Sequence, residues 1–160
     1  MYSEAAILYM RGQEILKGLV GRSLTDGQVK SLSINGEAVN LINVSFLKFG
    51  NDWIRIVCTD EQTEIQFEDE NLSAFNLKTE DGVEFSVNPI GQFFPDFNKY
   101  LGKRLLGFKE LVLKESEFMS FGLSLEFEGD LIFTIRNHDY PVDRNEYLFG
   151  KVHFDDLREK

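Results

Sequence analysis

From Gly21 onward the chain is built of short apolar runs, polar at every second position and separated by turn residues: Val29–Ile34, Leu41–Phe49, Trp53–Cys58, Thr63–Phe67 and Val83–Val87. Period two is the signature of a half-buried strand. Asn35-Gly36, Gly50-Asn51-Asp52 and Asp81-Gly82 tolerate positive φ and fall between the runs, where hairpin connections belong. The gaps are too short for the helical crossovers that parallel neighbours require, so the strands are expected to pair antiparallel. Only the beginning differs. Ile7, Leu8, Ile15, Leu16 and Leu19 fall at helical spacing, with Ser3 placed to cap them and Gly18 or Gly21 to stop them, which predicts an amphipathic helix over Ser3–Val20. The expected class is α+β and β-rich: an N-terminal helix followed by antiparallel strands.

The pattern then restarts. Pro89–Pro95 reads as a connection and Asp96–Leu101 as a short helix or turn. Beyond it, Tyr100–Leu105 parallels Leu19–Leu24, Phe108–Leu113 parallels Val29–Ile34, Glu128–Ile132 parallels Gly50–Ile54, and Val152–Asp156 parallels Ile65–Asp69. The last offset is larger than the others, and an extra loop, Asp139–Gly150, accounts for it. An internal duplication of a β-rich unit of about 80 residues explains this order of motifs, a period too long for a solenoid repeat. The expected organisation is one compact domain over residues 1–160, composed of two similar halves, 1–92 and 93–160.

Size and charge narrow the function. A chain of 160 residues with 42% hydrophobic residues and 3 prolines can bury roughly 70% of its unfolded surface, which excludes intrinsic disorder. Twenty-seven acidic against 17 basic residues give a net charge of -10, the wrong sign for a phosphate backbone or an anionic membrane. Neither nucleic acid nor membrane is an expected partner. Met1-Tyr2-Ser3-Glu4 has no basic n-region, and Ala5–Met10 is too short for a signal h-region, so a cytoplasmic location is expected.

Chemistry finds little to work with. Cys58, the single cysteine, lies in the apolar run Ile54–Cys58 and reads as a structural thiol, with no intrachain disulfide. The two histidines, His138 and His153, have neither metal-ligand spacing nor a paired cysteine. His138 beside Asp139 could orient as a base, with Ser120 or Ser124 as nucleophile; the plainer readings are a solvated turn histidine and, for His153, an outward strand residue. Glu126 and Glu128 alternate with Leu125 and Phe127, as on a solvated strand face. No glycine spacing forms a phosphate cradle. No catalytic residue, cofactor or metal is therefore expected, and the chain is read as no enzyme.

Two features remain. Fifteen Phe, 5 Tyr and 1 Trp are densest at Phe93, Phe94, Phe97 and Tyr100, which read either as packing or as a small-molecule or peptide pocket between the halves. From Asp60 to Glu84, nine carboxylates face one cation, Lys78. Asp60, Glu61, Glu64, Glu68, Asp69, Glu70, Glu80 and Asp81 read either as a solvated face or as a docking surface for a basic protein.

In size, acidity, aromatic-rich β character, single cysteine and want of a catalytic motif, the chain resembles bacterial immunity proteins, the small cytoplasmic antidotes of contact-dependent and polymorphic toxin systems. The resemblance implies a stoichiometric inhibitor of one cognate toxin domain, a basic nuclease in the case these carboxylates would suit. Edge strands leave homo-oligomerisation open.

Overall fold

The computed structural model describes residues 10–59, 61–114, 119–138, 142 and 144–160. Along the first half run β1 (Met10–Arg11), α1 (Gln13–Leu19), β2 (Leu24–Ile34), β3 (Glu37–Phe49), β4 (Asp52–Thr59), β5 (Gln62–Glu68), a 3₁₀ turn (Leu72–Phe75), β6 (Leu77–Lys78) and β7 (Val83–Pro89). A one-turn helix, α2 (Ile90–Phe93), and a 3₁₀ helix (Pro95–Tyr100) lead into β8 (Leu105–Leu113), β9 (Ser120–Phe127), β10 (Leu131–His138), β11 (Arg144–Phe149) and β12 (Leu157–Glu159). The five alternating runs are each a strand, lengthened by one to five residues at their ends. Asn35 and Gly36 both lie at positive φ, as the tight turn between β2 and β3 requires.

The first sheet has the order β1-β5-β4-β3-β2-β7-β6 and the second β11-β10-β9-β8-β12. Within each, four strands run as a meander, and a later strand crosses back to pair with the first of them. The sheets stack with β3 against β11, β5 against β9 and β4 against β10. Their facing side chains form one apolar core that includes Leu47, Ile54 and Ile56 from the first sheet and Leu123, Leu125 and Phe133 from the second.

At one corner the sheets are joined by reciprocal backbone bonds. Gly21 N–H donates to Leu105 O at 2.7 Å and Gly102 N–H to Leu24 O at 2.7 Å; Leu24 N–H donates to Lys103 O and Leu105 N–H to Arg22 O, both at 2.9 Å. Ser23 and Arg104 form the antiparallel bridge between them. Beneath, Phe49 stacks on Phe127 with ring centroids 6.3 Å apart. Phe49 pairs with Leu24 and Phe127 with Leu105, and each pair is followed by the same register slip, to Asp26 in β2 and to Gly107 in β8.

Three expectations change. The helix is shorter than Ser3–Val20: Met10–Arg11 is strand, and Gly12 sits at φ +87 with its Cα so near β5 that an added Cβ would lie 2.0 Å from Ile65 O. A residue held there cannot continue a helix, and α1 starts at Gln13; Ile7 and Leu8 lie outside the described residues. Leu16 and Leu19 are buried as the spacing required. Secondly, β1 pairs parallel with β5, Met10 opposite Thr63. A neighbour some fifty residues away in sequence needs no short crossover, so the local argument for antiparallel pairing does not reach it. Thirdly, the strand standing to β10 as β5 stands to β4 is β11: Ile56 faces Ile65 and Ile54 faces Phe67, while Ile135 faces Tyr147 and Phe133 faces Phe149. Val152–Asp156, paired by sequence with Ile65–Asp69, instead follows β11 and carries no strand.

Candidate functional site

The acidic stretch is divided by the fold. Glu64 and Glu68 lie on β5 and point away from the core, with Glu61 before the strand and Asp69 and Glu70 after it. Glu80 and Asp81 lie in the turn leading to β7, four strands away; Asp60 lies outside the described residues. Four strand spacings separate β5 from β7, roughly 19 Å. The pairings place Glu68 level with Asp26 of β2 and the Glu80–Asp81 turn beyond Ile34. That adds roughly 26 Å along the strands. Contiguous in sequence, these carboxylates occupy opposite corners of one sheet.

The β5 corner has its own geometry. Gln66 Nε2 donates to Glu64 Oε1 at 2.6 Å, Arg55 donates to Gln66 Oε1, and Arg55 Nη1 stands 3.5 Å from Glu68 Oε2. Glu64 and Glu68 are thereby held along the outer face, in partly exposed pairs that add little stability. Asp69 and Glu70 are exposed and form no ion pair among the described residues. Between Glu64 and Asp69, Phe67 is 59% exposed. The alternation identified Phe67 only as a strand residue. It shares the inward side of β5 with Thr63 and Ile65 and stands opposite Ile54, exposed at the edge of the sheet.

Between the corners, the outer face of the first sheet is closed. The chain leaving β5 crosses it, and Leu72 and Phe75 pack on Phe46 and Trp53. Lys30 Nζ lies 4.5 Å from the Phe85 ring centroid and 5.2 Å from that of Phe75. Burial, with the Arg55 charge beside it, pushes its pKa down.

The aromatic candidates separate as well. Phe97 and Tyr100 are fully buried, packed with Phe127 and Phe133, and Tyr100 Oη donates to Ile132 O at 2.6 Å. Phe93 is exposed. Phe94 alone lines a cavity, about 420 Å³ between β3 and β11, its ring edge-on to Tyr147 at 4.9 Å. The four do not share a pocket.

The remaining chemical candidates are quiet. Ser120 Oγ is buried against Thr63 Oγ1, and Ser124 Oγ against Thr134 Oγ1, each at 2.7 Å. His138 closes β10 and is hydrogen-bonded to Glu146 Oε1 at 2.8 Å; Asp139 lies outside the described residues. His153 is exposed, in the chain after β11 and not in a strand. Glu126 and Glu128 meet Lys109 and Arg104. Burial pushes the Cys58 thiol up to about 12, which keeps it protonated and unreactive. Among the described residues no group of three or more His, Cys, Asp or Glu could hold a metal ion, and no helix is long and apolar enough to cross a membrane.

Comparison with protein-family models, with curated proteins and with solved structures finds no match.

Proposed function

We propose that the chain acts stoichiometrically, as an immunity-type inhibitor that docks on a basic, nuclease-type bacterial toxin domain in the cytoplasm. One observation carries this reading: at the end of β5 the exposed Phe67 ring, left open at the sheet edge, is followed directly by the exposed carboxylates Asp69 and Glu70, with Glu64 and Glu68 on the other face of the same strand. An apolar anchor within a charged rim is how protein interfaces combine affinity with fast association. Clefts that bind phosphate are basic, so a carboxylate-rich corner complements them. On this reading Glu80 and Asp81 form a separate solvated corner.

The test is binding to a basic partner captured from the source organism. Replacing Glu64, Asp69 and Glu70 together by Lys should slow association at low salt by about tenfold or more and flatten its salt dependence, while Phe67→Ala should speed dissociation. Glu68 is kept because it holds Arg55. Unchanged association in the triple variant would refute docking through this corner.

We also infer that the two sheets descend from one duplicated unit. The shared strand order and the reciprocal bonds at Ser23 and Arg104 support it. Relatives aligned on themselves at an offset near 80 residues are the check. The halves should then align over counterparts such as Leu24 with Leu105 and Phe49 with Phe127, and the absence of such an alignment across relatives counts against a common origin.

A second reading, a cleft for an extended peptide, is favoured by the cavity between β3 and β11. Along it Glu37–Val44 pairs only with β2 among the described residues, and an unpaired strand edge is a docking site for a peptide strand. Leu41→Lys should then abolish peptide binding; unchanged binding would remove this reading.

A further inference from the structure

The two outward faces are finished differently, and the difference leaves a cavity. Counting back from the stacked pair Phe49 and Phe127, Phe46 and Ser124 occupy the same outward position. Arg55 faces Phe46 in the first sheet and Thr134 faces Ser124 in the second; Trp53 faces Lys48 and Ile132 faces Glu126. The second sheet therefore has a hydroxyl where the first has a phenyl ring, and an isoleucine where it has an indole. On the first face Leu72 and Phe75 complete the packing. On the second, the chain after β11 crosses in the same sense, but its Phe154 packs with Leu111, Phe121 and Leu157 to one side. Above Ser124, Ile132 and Thr134 there remains a cavity of about 530 Å³, inside the size range of small-molecule sites.

Its lining is mixed. The floor is the buried Ser124–Thr134 hydroxyl pair beside Ile132, and Val152 and Phe154 form an apolar wall. Lys109 stands between Glu126 at 3.5 Å and Glu159 at 3.4 Å, a single ammonium shared by the two carboxylates at the site. Lys114 and Lys151 also line the cavity, and neither is in an ion pair among the described residues. In a chain of net charge -10, two ammonium groups with no ion-pair partner among the described residues line an apolar recess with a hydroxyl floor. Both lysines sit at the exposed rim, and a ligand body seated in the apolar recess would displace part of the water that screens them from its acid group.

We propose that this cavity binds a small organic anion, an apolar ring or chain bearing one carboxylate or sulfonate, with the acid group at Lys114 and Lys151 and the apolar body over Ile132 against Phe154. The proposal is independent of the β5 corner, which lies on the other sheet.

The experiment titrates the full chain with anilinonaphthalene sulfonate, and with the uncharged phenylnaphthylamine in parallel. The expected result is saturable fluorescence enhancement by the anion at one site per chain. Lys114→Glu combined with Lys151→Glu should weaken the sulfonate about tenfold or more, a change of about 1.4 kcal/mol, and leave the uncharged dye unaffected. Ser124→Phe with Ile132→Trp copies the first face and should remove the site for both dyes, with circular dichroism confirming an intact fold. If that double variant does not fold, the lysine reversal at exposed rim positions decides alone. Absence of a saturable site, sulfonate affinity indifferent to the lysine reversal, or dye binding that survives in a folded filled variant would each overturn the proposal.

Discussion

Gly122 has no room for a side chain. It sits in β9 opposite Arg136 at φ +124, and an added Cβ would stand 1.9 Å from Ile135 O. Gly122→Ala combines backbone strain with a clash against a strand that cannot yield without breaking its pairing. It should cost about 3 kcal/mol or more, read as a fall in the urea midpoint at unchanged m-value. Glu110 is strained in a different way. Half-buried in β8, its carboxyl is pushed above the ordinary 4.5 by burial, partly offset by a hydrogen bond from Ser120 and the Lys160 charge. A raised carboxyl pKa means the folded state binds more protons, so this residue lowers stability as pH rises through the window from 4.5 to the raised value. Glu110→Gln should accordingly raise Tm at neutral pH, and the gain should shrink to nothing as the pH is taken below 4.5. A gain that persists in acid would remove the linkage.

Among the elements, the two crossing segments set the character of their sheets. The first covers the only tryptophan: Trp53 is 7% exposed beneath Leu72 and Phe75. Leu72→Ala should cost about 2–4 kcal/mol and shift Trp53 emission to the red, because water reaches the indole once the segment loosens. A loss of stability without a spectral shift would mean that the cover is held elsewhere. The strands beneath were legible in the sequence, since alternation and turn residues are local and each hairpin is closed by its own chemistry. The crossings were not. Leu72 and Phe75 lie in an acidic, turn-like stretch, and nothing within a few residues of them says that Phe46 waits below. The same holds for β1, whose pairing with β5 depends on a partner far along the chain.

Over the whole molecule, the sheets are held together by a shared apolar core and by buried polar contacts at its margins. Ser45 Oγ and Tyr147 Oη meet at 2.6 Å between β3 and β11, and burial pushes the Tyr147 pKa up. Asn145 donates to Ile42 O at 3.0 Å, and Ser120 N–H donates to Glu61 O at 2.9 Å. Ser45→Ala and Tyr147→Phe should each cost about 1–3 kcal/mol, because each leaves one buried group unpaired. The double variant should cost clearly less than their sum, and additive effects in urea melts would mean that the two hydroxyls do not couple. Net charge, size and the β-rich class follow from composition and period, which are properties of the chain read in order. Alternation also determined which residues of each strand face one way, hence the core. Which carboxylates are neighbours was decided only by the sheet order, which sends Glu68 and Glu80 to opposite corners. Phe97 and Tyr100, on a short 3₁₀ helix, went to the core because Phe127 and Phe133 of the second sheet pack on them, whereas Phe67, on the inward side of β5 opposite Ile54, stays exposed at the sheet edge. Periodicity sorts residues into faces, and only the packing of distant segments determines how far each face is covered.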